Sequence, residues 1–258
     1  MKAKLFDKTG KEKGTIDLPK NFAVTIREDI LSKVFESQKG IYAQAYGAME
    51  GAGAQYSASG ISKKKRHDWK ATYGKGISRV PRKIMSRHGS SFNWIGATVA
   101  CARGGRRPHA PRSVKNLFKK INKKELLLAF NSALAGTVDA EFLEKKYGKR
   151  VEGGIVDAKV LELKTKDFII SMKKIFGDVQ FLKNKTIRAG IGKMRGRKYK
   201  SNAGLLFVIG KDEKMNRKGI EVINVPELTI KSLSPNGEPG RLVCYTKNAI
   251  KEIGERFN

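Results

Sequence analysis

The chain has 258 residues, 40% of them hydrophobic, with 54 Lys or Arg against 24 Asp or Glu and a formal net charge of +30. That length permits one large domain or two small ones, and the apolar fraction allows a real core. So lopsided a charge argues against an ordinary cytosolic enzyme and for an anionic partner, since self-repulsion at this level needs relief. In chain order, residues 2–6 and 15–18 read as a small β-hairpin, with Thr9, Gly10 and Gly14 as turn residues and Pro19 closing it. Over 26–46, Ile30, Leu31, Val34, Phe35, Ile41 and Tyr42 share one helical face.

Residues 47–115 follow with no steady apolar period. They hold fifteen Lys or Arg, two acids, ten Gly and three Pro. Connections in compact domains rarely exceed ~12–15 residues unless they are functional or disordered. The run keeps Trp69, Tyr73, Phe92 and Trp94 among its cations. A segment of this kind buries too little apolar surface to fold alone, but it can lie along a polyanion that supplies counter-charge and stacking faces. It reads as a nucleic-acid-binding arm, for RNA above DNA.

A second helix is expected from Asn122, with Glu125 completing a capping box and Leu126, Leu127, Phe130 and Leu134 facing the core. Residues 138–147 read as a third helix, stopped by Gly148. Beyond Gly153, 155–160 is strand-like and 166–176 helix-like, with Phe168, Ile169, Met172 and Ile175 in register. Short strands are expected at 186–189, 204–209 and 221–225, and helices at 226–233 and 247–257. This alternation predicts a three-layer α/β/α domain with a mainly parallel sheet. The globular part is assigned to 1–46 and 116–258, with the extended basic arm, 47–115, inserted between two helices.

Cys101 and Cys244 lie far apart, and His67, His88 and His109 form no ligand set with them, so neither a disulfide framework nor a metal site is expected. The opening MKAKLFD lacks the apolar core of a signal peptide, and the longest apolar stretches are too short to span a bilayer, so the chain reads as cytoplasmic and soluble, without membrane partners.

The cations form clusters. Lys63, Lys64, Lys65 and Arg66 make a compact block, followed by Lys70 and Lys75. Arg79, Arg82, Lys83 and Arg87 surround Val80 and Pro81. Arg103, Arg106, Arg107, His109 and Arg112 alternate with Gly and Pro. Glycine permits close backbone approach, proline stiffens an extended path, and guanidinium groups fork onto phosphates. On the globular part, Arg188, Lys193, Arg195, Arg197 and Lys198 form a further RNA-binding candidate. Gly190 and Gly192 there imitate a dinucleotide-binding turn, with Asp212 downstream. The following residues lack the apolar face that a crossing helix needs, so phosphates of a polymer suit them better. No nucleophile or paired-carboxylate motif stands out, and no cofactor is expected. A nucleotide-dependent RNA-modifying enzyme and a chromatin-like DNA binder remain the competing classes.

Four ordered stretches carry a resemblance: YGKGISRVPR at 73–82, ARGGRRPHAPR at 102–112, IRAGIGKMRGRKY at 187–199 and SPNGEPGRLVCYT at 234–246, with NKKEL at 122–126. They resemble the large-subunit ribosomal protein L-four family in its archaeal and eukaryotic cytosolic form. The resemblance implies a structural constituent of the large ribosomal subunit, not an enzyme, that binds large-subunit ribosomal RNA and supports assembly. It implies an arm reaching the nascent-peptide exit tunnel, with Arg79, Val80, Pro81 and Arg82 as tip candidates and 103–112 on the returning limb. Expected partners are that RNA, neighbouring large-subunit proteins including the other tunnel-constriction protein, and the nascent peptide. Residues 50–60 and 83–101 depart from the family's pattern. The stop at Asn258, without a long basic tail, favours an archaeal origin.

Overall fold

The computed structural model describes residues 1–58, 60, 65–89, 91–151, 153–177 and 179–256, with the backbone alone at 85–88, 91 and 92. By contacts it divides into two units, Met1–Tyr42 with Phe118–Asn258, and Ala43–Leu117.

The first unit is built on a six-stranded sheet. Its strands are β1 (Lys2–Phe6), β2 (Glu12–Asp17), β5 (Gly154–Val156), β8 (Leu206–Ile209), β9 (Glu221–Asn224) and β10 (Val243–Thr246), in the order β2-β1-β5-β10-β8-β9. β2 pairs antiparallel with β1; every other pairing is parallel. Alternate residues of each strand feed opposite faces. Leu5, Ile155, Leu206, Val208, Val243 and Tyr245 pack on one side with α1 (Glu28–Tyr42), α2 (Lys123–Val138), α5 (Ile230–Leu233) and α6 (Lys247–Arg256). Phe6, Val156, Phe207, Ile209 and Cys244 pack on the other with α3 (Ala140–Tyr147) and α4 (Thr165–Phe176). The expected three-layer α/β/α arrangement is present. Each large side chain fully buried here, such as Phe168, Phe207 or Leu134, contributes about 1.5–3 kcal/mol of transfer free energy. No single helix among the described residues is long and apolar enough to cross a membrane.

Several elements differ from the sequence reading. β10, the fourth strand in sheet order, was not anticipated. It is buried throughout, and its Tyr245 hydroxyl lies 2.9 Å from Thr137 Oγ1 of α2. The helix expected over 26–46 ends at Tyr42, and its last apolar residues are not core. Ile41 is 59% and Tyr42 74% exposed, and the Tyr42 ring takes the Lys231 ammonium at 4.1 Å. Asn122 does cap α2 by position, but its side chain makes no capping bond. Glu125 instead accepts from Lys33 on α1 at 2.8 Å, and that charge-assisted bond holds its carboxyl below the ordinary value. Leu126 and Leu127 are nearly half exposed, while Phe130 and Leu134 are buried. Residues 158–160 form a 3-10 turn started by Asp157, and only Gly154–Val156 is strand. The helix expected over 226–233 reduces to a 3-10 turn and the single-turn α5, capped by Thr229.

The second unit holds a two-stranded antiparallel hairpin, β3 (Arg82–His88) with β4 (Ser91–Gly96), where the sequence reading had only an extended basic arm. No hydrophobic core forms among its described residues. Among its described residues only Gly60, Ala71, Thr72 and Ala97 are buried. Its order comes from backbone pairing, including mutual bonds of 3.0 Å between Gly60 and Arg82. Glycines let its limbs close on each other. Ala48 N donates to Pro111 O at 3.2 Å, and a Cβ on Gly53 would stand 2.5 Å from Arg106 Cα. A Cβ on Gly105 would sit 1.9 Å from the Val99 carbonyl oxygen. Gly105→Ala should therefore loosen the returning limb and speed tryptic cleavage at Arg103, Arg106 and Arg107 severalfold, leaving the melting of the sheet unchanged. Equal cleavage rates in variant and wild type would show that this contact holds nothing together.

Candidate nucleic-acid interface

Between Phe181 and β8 the chain leaves the sheet as a separate hairpin. β6 (Lys185–Ile187) pairs antiparallel with β7 (Tyr199–Ser201), in register Lys185–Ser201, Thr186–Lys200 and Ile187–Tyr199. Arg188 N extends the ladder to Lys198 O at 2.9 Å. Its turn is a 3-10 segment, Ile191–Lys193, after which Arg195 N and Arg197 N both donate to Gly192 O, at 3.2 and 3.0 Å. Gly196, at φ +76°, lets the chain reverse there. From 182 to 202 every residue is exposed except Gly192, which is half-buried. Seven cations lie between 185 and 201, and no acid lies between 182 and 202. All five residues nominated here, Arg188, Lys193, Arg195, Arg197 and Lys198, stand on this one projection.

The root of the hairpin is fixed firmly. Lys183 N donates to Gly219 O at 2.8 Å, Leu205 N to Phe181 O at 2.7 Å and Asn184 N to Asn202 Oδ1 at 2.6 Å. Arg241, 2% exposed, sits beneath it. Its guanidinium donates to Gly204 O at 3.2 Å, Ala203 O at 2.8 Å and the Ser232 carbonyl, and pairs with Glu221 at 2.9 Å. Glu221 also takes Lys183 at 3.1 Å. Sequence reasoning missed Arg241. The available sign was an arginine directly before an apolar run, Leu242 to Tyr245, a setting where a charge needs several partners.

This geometry removes the dinucleotide reading. The residues after Gly192 form a turn and a strand, not a crossing helix, and β6 belongs to a separate sheet. The glycines precede β8 and so lie at the amino end of the parallel strands, whereas such ligands bind beyond the carboxyl ends. At those carboxyl ends Glu213 accepts from Gly210 N at 2.8 Å, Thr246 Oγ1 at 2.6 Å and Asn248 Nδ2 at 2.9 Å. A carboxylate held there repels an incoming phosphate.

In the second unit, Lys65, Arg66, Lys70, Lys75, Arg79, Arg103, Arg106, Arg107, His109 and Arg112 are all exposed. Lys63 and Lys64 lie outside the described residues, and Arg87 is a residue of β3. Several cations rest on aromatic faces: Arg79 on Tyr73 at 4.6 Å, Lys75 on Trp94 at 4.9 Å and Lys83 on Tyr56 at 3.5 Å. Trp69 and Trp94 meet edge to face at 6.2 Å, so the two tryptophans first contact each other. Arg82 differs from its neighbours. It is half-buried and donates to Trp94 O at 2.7 Å and to Ser78 O at 3.1 Å, which ties the 78–82 turn to β4. Val80 and Pro81 are also half-buried. Among the described residues no cluster of His, Cys, Asp or Glu could hold a metal ion.

The fold and its exposed cations define a class, an α/β protein that presents acid-poor basic segments outside its core. The model of the ribosomal protein L4/L1 family matches residues 16–256, and the chain belongs to that family. It is 37% identical to the large ribosomal subunit protein uL4 of Methanocaldococcus jannaschii, over all of both chains. Against uL4 of Nanoarchaeum equitans it is 35% identical, over 99% of this chain and 98% of the relative. Against uL4 of Archaeoglobus fulgidus it is 33% identical, over 99% of each. Members of the family are structural components of the ribosome and not enzymes.

Proposed function

We propose that this protein is a structural constituent of the large ribosomal subunit in the cytoplasm, where it binds large-subunit ribosomal RNA and supports subunit assembly. The observation that carries the RNA reading is the β6–β7 hairpin, with seven cations, no acid and almost complete exposure. Residues 47–115 form the second RNA-binding element, reaching the peptide exit tunnel, with Arg79 to Arg82 near its wall. The near absence of a core among the described residues of that unit supports this reading, because RNA would supply the contacts that the segment cannot supply itself. At ~3.3 Å per residue, a 69-residue arm doubled on itself reaches at most ~115 Å, enough to penetrate a large RNA particle. Neighbouring large-subunit proteins and the nascent peptide are its further partners.

Salt titration of RNA binding tests the site. Each phosphate contact contributes ~0.7–0.9 to the slope of log K against log salt. Changing Arg195 and Arg197 together to Ala should lower that slope by roughly 1.4–1.8 and weaken binding at every salt concentration. An unchanged slope would remove the hairpin from the interface.

A further inference from the structure

The β6–β7 hairpin has two unlike faces. Directly opposed residues of an antiparallel pair share a face, and their neighbours point to the other. Ile187 opposite Tyr199 thus makes one face apolar and aromatic towards the turn, with Lys185 opposite Ser201 on the same face at the root. Thr186 opposite Lys200, and beyond them Arg188 bonded to Lys198, make the other cationic. Ile187 and Tyr199 are 60% and 56% exposed, and Ile191 and Met194 at the turn are 66% and 80% exposed. Phosphate neutralisation uses the cations and leaves these four side chains without a role.

We propose that the apolar face and turn grip unpaired nucleotides. The hairpin enters structured RNA at a bulge or junction, where Tyr199 stacks on an extruded base while the opposite face holds phosphates. The proposal rests on the RNA-binding reading and names the RNA feature that this site takes. An A-form duplex presents phosphates and a shallow groove lined with 2′-hydroxyls, and offers the faces of its bases only where they leave the stack. The surrounding cations and the lack of any acid require an occupant that is anionic and flat-faced at once, and an unpaired nucleotide is both. Lys198 belongs to the cationic face by register, but its long side chain brings Nζ to 5.6 Å from the Tyr199 ring centroid, so an ammonium stands beside the ring for the phosphate of a stacked nucleotide. The firmly bonded root keeps the ring presented at low entropic cost, with Arg188 Nε 3.2 Å from Tyr199 O.

The test uses the full chain and two RNA hairpins of equal length and charge, one carrying a bulge of unpaired nucleotides and one fully paired. Wild type should prefer the bulged RNA. Tyr199→Ala should cut that affinity about ten-fold, the scale of one base stacked on an aromatic ring, and leave paired RNA and the salt slope unchanged. Tyr199→Phe, which keeps the ring, should bind as wild type. Both substitutions fall at an exposed position, and a matching thermal melt confirms the fold. Equal losses on the two RNAs, or an altered slope, would make Tyr199 a support for the cations and overturn the proposal. Tight, salt-dependent binding without preference for the bulge would overturn it while the RNA-binding reading stood. No salt-dependent binding to either RNA would overturn both.

Discussion

Replacing Arg241 by Met is expected to lower the melting temperature by roughly 6–12 °C, as a loss of ~3 kcal/mol does in a chain of this size. Its guanidinium serves three backbone carbonyls, of Ala203, Gly204 and Ser232, besides the Glu221 carboxylate. Met fills similar volume but donates nothing, and each buried acceptor left unsatisfied costs about 1–3 kcal/mol. Glu221 suffers less, because its side chain is 33% exposed and keeps Lys183 at 3.1 Å. Burial alone would raise the Glu221 pKa, but Arg241 and Lys183 outweigh it and hold the carboxyl below its ordinary value. A depressed carboxylate contributes stability that is fully present above its unfolded pKa, about 4.3, and is lost as pH falls through the lower folded value. The gap between wild type and variant should therefore narrow in acid below that point. Because Ala203 and Gly204 anchor the returning strand of the β6–β7 hairpin, amide exchange at its root should also quicken. A melting shift below about 2 °C would show that water replaces the lost donors and that Arg241 anchors nothing.

The amphipathic helices were legible because their apolar residues recur with the helical period, as Phe168 and Met172 do in α4. β10 was not. Its four residues are buried on both faces, too few for any period to show, and a turn-rich stretch and a helix flank them directly. The β3–β4 hairpin was hidden by its charges. Arg82, Lys83 and Arg87 made its first strand read as part of a cationic run, although Ile84 and Met85 stand between them. At the candidate interface, charge is a property of sequence, so the cations of 187–199 could be named in advance. Which face each occupies depends on the register of β6 against β7, which composition does not contain. Arg241 was invisible for a related reason. Its partners come from positions 203, 204, 221 and 232, brought together only by the folded sheet.

Removing residues 47–115 should sharply reduce incorporation of this protein into large subunits and slow their assembly, while the sheet domain still folds. The first expectation follows from charge. The segment carries fifteen cations against two acids, and the RNA it is proposed to bridge would lose that counter-charge. The second follows from the structure. Among the described residues, both cores of the sheet unit are built from residues 3–34 and 121–253, and within the second unit the limbs run side by side, with Ala48 N bonded to Pro111 O. A direct join of Tyr46 to Asn116 therefore spans a short gap. Excising only the tip would be a poor comparison, because Arg82 to Arg87 belong to β3 and their loss unpairs the hairpin. Changing Lys75 and Arg79 to Ala is cleaner, since both are exposed and rest on the aromatic rings of Trp94 and Tyr73. Subunits should accept that variant nearly as well as wild type, because many cations remain for attachment. Nascent-chain stalling or sensitivity to tunnel-binding inhibitors should change if this region lines the tunnel. Sucrose-gradient profiles and quantified protein in washed subunits measure incorporation, and a stalling reporter measures the tunnel. If the double substitution blocks incorporation as fully as the deletion, the Lys75–Arg79 region is an attachment site, and the proposed division between anchoring limbs and a tunnel-facing end is wrong.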